Sequence, residues 1–286
     1  MRYIKYFFQY FLILIFFLLF KILGPKKSSN LGGNIFEKIG PLFRSKSLIH
    51  TNIRRAFPDI NSNDLNKITR LMWNNYGRVF AEYIFIKDFR NGKLASNIQI
   101  DGQEILNEII RNNNQVVFIS GHLSNFELMA MHLEKSGIKL SAIYRPLNNI
   151  FLNNIMERLR KRYICQYQIE KGLGGLRKLI SLKKQNFSTA LMIDQRVSEG
   201  ILSKFFKEEA LTTTIPAQLV KKFNIPVVPL DIERIGDLKF KITINKPIHF
   251  SKEDSIKNIT DKLNSVLEEM IIKKPSQWIW SHNRWK

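Results

Sequence analysis

The sequence predicts an α/β protein with a mostly parallel central sheet flanked by helices, carried behind an N-terminal transmembrane or membrane-embedded helix. Two observations support this. From about residue 98 onward, short runs rich in Val, Ile, Leu and Phe alternate with segments of helical period, which is typical of parallel strands joined by helices. The first two dozen positions, by contrast, are almost entirely apolar.

The apolar N-terminal segment reads YFFQYFLILIFFLLFKIL and is interrupted only by Gln9 and Lys21. At a rise of about 1.5 Å per residue, a helix of this length is just long enough for a bilayer core. No small-x-small cleavage pattern follows, so a retained anchor is favoured over a cleaved signal peptide. More basic residues follow the segment than precede it, and the positive-inside rule therefore places the main domain in the cytoplasm.

The chain divides into three predicted regions: a membrane anchor at 1–27, a helical membrane-proximal region at 28–97, and an α/β domain at 98–286. Residues 28–40 hold three glycines and several polar residues, which predicts a short linker or membrane-surface loop. From Leu65 to Tyr83 the apolar residues keep helical spacing, so a helix is expected there.

Strands and helices are predicted to alternate through the third region. The predicted strands are IQI, QVVFIS, LSAIY, STALMI, IPVVPLDIER and LKFKITINKPIHF. The predicted helices are GQEILNEIIRNNN, a segment from Asn125, residues 150–161, LGGLRKLISLKK, PAQLVKKF, and a last helix from about Glu253. The region therefore reads as one domain.

The chain is strongly basic, with 45 Lys and Arg against 24 Asp and Glu and a formal net charge of +21. Such a balance indicates a polyanionic partner: nucleic acid, an anionic membrane surface or an acidic protein. The basic residues are scattered and no recognised nucleic-acid-binding motif is present, so nucleic acid is not expected. Cys165 is the only cysteine, which excludes an intrachain disulfide.

The segment VVFISGHLSNFELM is the strongest local indication of chemistry. A buried strand delivers Gly121 and His122 to its carboxyl end, where open α/β sheets place their ligand sites. Histidine is suited to taking a hydroxyl proton near neutral pH. Glu127 follows five residues later and could reach back to fix the ring. We therefore predict His122 as a general base assisted by Glu127.

Two other interpretations of these residues stay open at this point. Ser124 and Glu127 also form a capping-box pattern, in which the carboxylate stabilises the start of a helix. A metal hydrolase using His122, Glu127 and His132 is disfavoured, because steps of five residues do not place these side chains on one helical face.

Six segments, in the same order along the chain, resemble those of one known family, the late acyltransferases of bacterial lipid A biosynthesis. The members of this family are the lauroyl- and myristoyl-transferring enzymes of the inner membrane. The matching segments are NIRRAFPD, the H-x4-E spacing inside GHLSNFE, YRPLNN, IDQR, LTTTIPAQL and PSQWIWSHNRWK. The related phospholipid-making acyltransferases carry aspartate in the H-x4-D motif and an F-P-E-G-T-R motif, and this chain has neither. The chain departs from the family pattern in two places. Ser-Asn-Phe-Glu replaces Gly-Asn-Trp-Glu but keeps an aromatic residue at Phe126, and VSEG after IDQR replaces an aspartate- and glycine-rich stretch, which leaves the acyl-chain selectivity open.

The resemblance implies further site residues. Arg145, Arg160 and Asp194 match positions at which the family binds substrate phosphate or stabilises an oxyanion. Arg160 is placed by ungapped counting, with Arg158 as a near alternative. From the residues alone, Arg160 could equally belong to a solvated basic helix face, and Asp194 could be a structural ion-pair partner of Arg196.

The resemblance also implies an activity and a location. It predicts an O-acyltransferase of the bacterial inner membrane, with its catalytic domain facing the cytoplasm. The expected acyl donor is acyl carrier protein and the expected acceptor is a phosphorylated glycolipid; no cofactor or metal is expected. The alternatives are a related acyltransferase for another glycolipid or a lysophospholipid, the use of acyl-CoA as donor, and a non-enzymatic anionic-lipid-binding membrane protein.

Overall fold

The computed structural model describes residues 2–286 and confirms the predicted α/β architecture. Met1, the first residue of the predicted anchor, lies outside the described residues. Within the described part, the main sheet holds seven strands in the order β1-β9-β8-β2-β5-β3-β4. Neighbouring strands are parallel except for β8 and β9, which are antiparallel.

The strands and helices alternate along most of the domain. The strands are β1 (Ile98–Asp101), β2 (Val117–Ser120), β3 (Leu140–Tyr144), β4 (Tyr167–Glu170), β5 (Ser188–Met192), β6 (Ile201–Phe205), β7 (Glu208–Thr212), β8 (Val227–Gly236) and β9 (Lys239–Ile244). The helices are α1 (Arg2–Leu23), α2 (Pro25–Phe43), α3 (Lys46–Ala56), α4 (Ser62–Glu82), α5 (Ile86–Asn91), α6 (Gln103–Arg111), α7 (Glu127–Lys135), α8 (Ile150–Tyr163), α9 (Leu173–Lys184), α10 (Ile215–Phe223) and α11 (Ile256–Lys273). Short 3₁₀ turns occur at Tyr83–Phe85, Ala95–Asn97 and Pro275–Gln277.

The prediction that residues 28–40 form a linker or surface loop is wrong, because they belong to helix α2. The small residues lie on its buried face: Ser28, Ser29, Gly32, Gly33 and Gly40. This face packs against α4 so closely that a Cβ on Gly32 would lie 2.5 Å from the backbone oxygen of Gly77. Tertiary packing therefore outweighs the poor helix propensity of glycine.

The structure also contains three strands that the sequence did not predict. Strand β4 is only four residues long and lies at the edge of the main sheet. Strands β6 and β7 form a separate antiparallel hairpin. The hairpin turn uses Phe206 and Lys207, both at positive φ, instead of the Asn-Gly or Asp-Gly pair that marks such turns in a sequence.

Helix α1 lies against the domain along much of its length while exposing its other side. Phe7 contacts Phe151 at the start of α8, with ring centroids 6.0 Å apart, and Phe17 contacts Phe80 of α4 at 5.4 Å. The Asn149 side-chain amide donates to the backbone oxygen of Tyr6 at 2.8 Å. The helix is long and apolar enough from Tyr3 to Leu23 to be a candidate membrane span.

Candidate active site

The register of two parallel strands brings His122 and Asp194 together. Strands β2 and β5 are neighbours, and Ser120 at the end of β2 pairs with Met192 at the end of β5. His122 and Asp194 each lie two residues beyond this pair, so both reach the same edge of the sheet. Gly121 packs closely at this edge, because a Cβ there would lie 2.9 Å from Leu267 and in contact with the Asp194 side chain.

Asp194 holds the His122 ring through a short hydrogen bond. The His122 Nδ1 lies 2.8 Å from Asp194 Oδ1, and the His122 backbone N–H donates to Asp194 Oδ2 at 2.8 Å. The indole Nε1–H of Trp278 donates to the same Oδ2, also at 2.8 Å. Asp194 is completely buried, whereas 24% of the His122 side chain is exposed.

The charges of this pair shift both pKa values. Burial favours the neutral form of His122, but the negative charge and hydrogen bond of Asp194 outweigh it and raise the pKa of the ring. Burial would raise the pKa of Asp194, but the charge and hydrogen bonds of His122 and the Trp278 donor lower it to about 2. Asp194 is therefore a carboxylate over the whole physiological pH range.

The geometry leaves the second ring nitrogen of His122 available. A proton on Nδ1 is required for the hydrogen bond to the Asp194 carboxylate, so neutral His122 carries its lone pair on Nε2. That atom forms no hydrogen bond with any residue the structure describes. The edge of the ring packs against Phe126, with centroids 4.7 Å apart. The arrangement is that of a positioned base able to accept a proton.

Glu127 binds an arginine instead of the histidine. Its Oε1 accepts from Nε of Arg160 at 2.9 Å and from a terminal guanidinium nitrogen at 2.5 Å. We predicted that Glu127 would fix the His122 ring, but in the structure the hydrogen bond to the ring comes from Asp194. Glu127 still lies near enough to help raise the pKa of His122.

The structure does not contain the capping box that Ser124 and Glu127 could form. Helix α7 begins at Glu127 itself, after Phe126, with no side-chain hydrogen bond at its cap. Ser124 adopts a positive φ of 45°, and its buried hydroxyl has no partner among the described residues. Glu127 is thus engaged with Arg160 and not with the backbone at the start of the helix.

The remaining predicted arginines lie in different surroundings. Arg160 is largely buried in its ion pair, whereas Arg158, its alternative, is exposed on the same helix. Arg145 follows directly after β3 and is exposed. It makes no hydrogen bond or ion pair with any described residue.

Sequence reasoning missed two side chains that support this site. The indole of Trp278 binds Asp194, and the backbone of Trp278 pairs with Leu123 in an isolated antiparallel bridge. Tyr83 is buried beside the Glu127–Arg160 pair, and burial together with the charge of Glu127 raises the pKa of its phenol. The C-terminal PSQWIWSHNRWK motif was the available signal for Trp278.

A buried ionic cluster lies behind the loop that carries His122. Glu82, at the end of α4, accepts hydrogen bonds from Arg234 at 2.6 and 3.0 Å and from Ser29 at 2.7 Å. Its second oxygen accepts from the side-chain amide of Asn125 at 3.0 Å. Burial opposes the charge of Glu82, but Arg234 and these donors lower its pKa. The cluster therefore fixes Asn125, three residues after His122.

Within the part of the chain that the structure describes, no group of three or more His, Cys, Asp or Glu side chains is arranged to hold a metal ion. These residues can act chemically through proton abstraction by His122, because the negative charges of Asp194 and Glu127 favour the resulting imidazolium and outweigh the opposing charge of Arg160.

Comparison with known proteins gives consistent relatives. The model of the bacterial lipid A biosynthesis acyltransferase family matches residues 1–286. The chain is 22% identical over 253 residues to the lipid A biosynthesis myristoyltransferase of Escherichia coli K12, covering 87% of this chain and 76% of that one. It is 22% identical over 247 residues to the lauroyltransferase of the same organism, covering 85% and 79%. A lipid A biosynthesis acyltransferase of Haemophilus influenzae is 23% identical over 259 residues, covering 89% and 81%. The resemblance inferred from the six motifs is thereby confirmed.

Proposed function

Since this chain belongs to the bacterial lipid A biosynthesis acyltransferase family and is an acyltransferase, we propose that it moves a fatty acyl chain from acyl carrier protein to a hydroxyl of a phosphorylated lipid A precursor. The single observation that supports the chemistry best is the His122–Asp194 pair. It leaves Nε2 of a ring with a raised pKa free at the carboxyl edge of the sheet.

The proposed reaction is a direct transfer. His122 Nε2 takes the proton from the acceptor hydroxyl, and the oxygen attacks the thioester carbonyl carbon. The carbon–sulfur bond then breaks, and the thiolate of the carrier leaves with the proton that His122 held. The products are an ester and a free thiol. Asp194 keeps the ring in the required tautomer and stabilises the imidazolium. A base positioned in this way typically contributes about 10²–10⁴-fold in rate.

The two predicted arginines receive different roles in this proposal. Arg160 is already neutralised by Glu127, so the pair forms a fixed, largely buried dipole beside the reaction centre. Arg145 is exposed and unpaired, which suits it to binding a phosphate of the acceptor. Glu127 acts here by positioning Arg160 and by favouring the charged form of His122.

The location follows from the same features. Helix α1 anchors the chain in the inner membrane, with the domain facing the cytoplasm, where acyl carrier protein is present. The net charge of +21 favours both an anionic lipid surface and an acidic carrier protein. The apolar exposed face of α1 lets acyl chains stay in the bilayer while their headgroups reach the site.

The decisive experiment is mass spectrometry of lipid A from cells that lack this chain and from cells that regain it. One missing acyl chain that returns with the wild type, but not with His122→Ala, is the expected result. His249→Ala is the matched control, because His249 is exposed in a cleft at the opposite end of β2 and β8.

Purified protein separates the donor alternatives. Transfer from acyl carrier protein but not from acyl-CoA is expected with vesicles that contain the lipid A precursor. Transfer to a lysophospholipid with the lipid A profile unchanged would assign another acceptor. An unchanged rate in His122→Ala would contradict the mechanism.

A further inference from the structure

The end of helix α2 exposes two large apolar side chains. Leu42 is 83% exposed and Phe43 is 65% exposed. The value for Leu42 is the highest among the exposed large hydrophobic residues of the described chain. They lie where α2 ends and the chain turns into α3. Adjacent apolar side chains at such a projecting turn cost free energy in water, so they indicate a surface that is covered in use.

The residues around this turn are basic and unpaired. Lys38, Arg44 and Lys46 are exposed and form no ion pair with any described residue. No acidic residue occurs between Glu37 and Asp59, and Glu37 is itself bound to Arg70. An apolar tip inside a ring of free cations matches an anionic lipid surface, with acyl chains below and negative headgroups around them.

The turn is continuous with the membrane helix. A row of contacting aromatic rings runs from Phe17 in α1 to Phe80, then to Phe36 in α2, and from there to the partly exposed Tyr76, with successive centroids 5.4, 5.6 and 5.9 Å apart. Tyr76 also contacts Trp73, with ring centroids 6.2 Å apart, and Trp73 packs directly against Gly40 in the last turn of α2, so the turn lies close to the end of this row.

The turn also lies on the side of the domain that carries the site. Helix α3 follows the turn directly, and the side chain of its Asn52 donates to the backbone oxygen of His282 at 2.9 Å. The side chain of His282 in turn accepts a hydrogen bond from the backbone of Arg196, two residues after Asp194. The helix that begins at the turn therefore contacts the residues that support the catalytic pair.

We propose that the turn between α2 and α3 is a second membrane contact, which inserts Leu42 and Phe43 into an anionic lipid surface beside the active site. Together with α1 it holds the domain at two points and presents the site to lipid headgroups. A single helix could still tilt and rotate in the bilayer together with the domain packed against it, whereas two separated contacts fix the orientation of the domain.

A site-directed fluorescence experiment tests this contact independently of the catalytic assignment. Cys165 is buried and is the only native cysteine, so a cysteine introduced at an exposed position can be labelled selectively with an environment-sensitive dye. The full chain carrying Leu42→Cys is reconstituted into vesicles of phosphatidylglycerol and phosphatidylethanolamine, with and without spin-labelled lipids. Leu12→Cys in α1 is the positive control, and Ile110→Cys is the negative control at the opposite end of the sheet.

Strong quenching at positions 12 and 42 with none at 110 is the expected result. Quenching at 12 alone would overturn the proposal, as would equal quenching at 42 and 110. In transfer assays, a Leu42→Asp/Phe43→Asp variant should raise the KM for vesicle-borne acceptor about tenfold or more while kcat is retained. An unchanged KM in the Leu42→Asp/Phe43→Asp variant would also overturn the proposed membrane contact. The effect of His122→Ala on kcat tests only the catalytic proposal.

Discussion

The side-chain amide of Asn52 donates a hydrogen bond to the backbone oxygen of Trp280 at 2.8 Å, across 228 positions of sequence. A second bond reaches the backbone oxygen of His282 at 2.9 Å. Asn52 belongs to the N-terminal NIRRAFPD segment, and Trp280 to the C-terminal segment whose Trp278 binds Asp194. Helix α3 and the C-terminal segment thus meet beside the His122–Asp194 pair.

Replacing Asn52 should loosen this connection. Asn52→Ala leaves two backbone oxygens without their donor, and we expect a loss of about 2 kcal/mol in the free energy of unfolding. Urea unfolding in detergent, followed by tryptophan fluorescence, measures it. Asn63→Ala is the matched control, because Asn63 is exposed. Equal stability of the two variants would contradict the role assigned to Asn52.

Replacing Asp194 should change both the rate and its pH dependence. His122 must be neutral to accept a proton, and Asp194 raises its pKa, so the wild-type rate should rise with pH through a midpoint above 6.5. Asp194→Asn removes the charge that raises this pKa while burial, which lowers it, remains. The midpoint should therefore move to lower pH, and kcat should fall by about 10³–10⁴-fold.

The pH profile of kcat/KM measures this shift. Asp101→Asn, which alters an exposed ion pair with Lys241, should keep the wild-type profile. A profile in Asp194→Asn that coincides with the wild type would show that Asp194 does not control the ring.

The Glu127–Arg160 pair should be strongly coupled. Arg160→Ala leaves a nearly buried carboxylate without its partner and should cost about 3 kcal/mol of stability. The double variant Glu127→Ala/Arg160→Ala should cost less than the sum of the single changes, by about 0.5–3 kcal/mol. Chemical denaturation of the four proteins of this cycle gives the coupling. Arg158→Ala, on the exposed side of α8, should lie within about 0.5 kcal/mol of the wild type.

The contact between α2 and α4 should not tolerate a side chain at Gly77. A Cβ there would lie 2.1 Å from the backbone oxygen of Gly32, so Gly77→Ala must separate the helices and should cost about 1–3 kcal/mol. Gly174→Ala is the opposite case, because no atom lies within 4 Å of its Cβ position in α9. It should stabilise the chain by about 0.5–1 kcal/mol. Thermal unfolding of both variants decides the sign.

Local sequence patterns determined much of the architecture. The period of the apolar residues located α1, α4, α11 and most strands of the main sheet, because burial of one face imposes its own spacing. The same reasoning failed for α2, whose glycines and serines resemble a loop until a second helix packs against them. It failed again for the hairpin of β6 and β7, whose turn residues are atypical.

The sequence by itself determined that His122 ends a buried strand, that an apolar helix precedes the domain, and that Asp194 lies in one of the six segments that resemble one family. Only the tertiary structure decided which carboxylate holds the ring. The spacing of His122 and Glu127 is visible along the chain, whereas the contact of His122 with Asp194 depends on the register of β2 and β5. That register is set by strand pairing between segments 72 residues apart, and no local pattern records it.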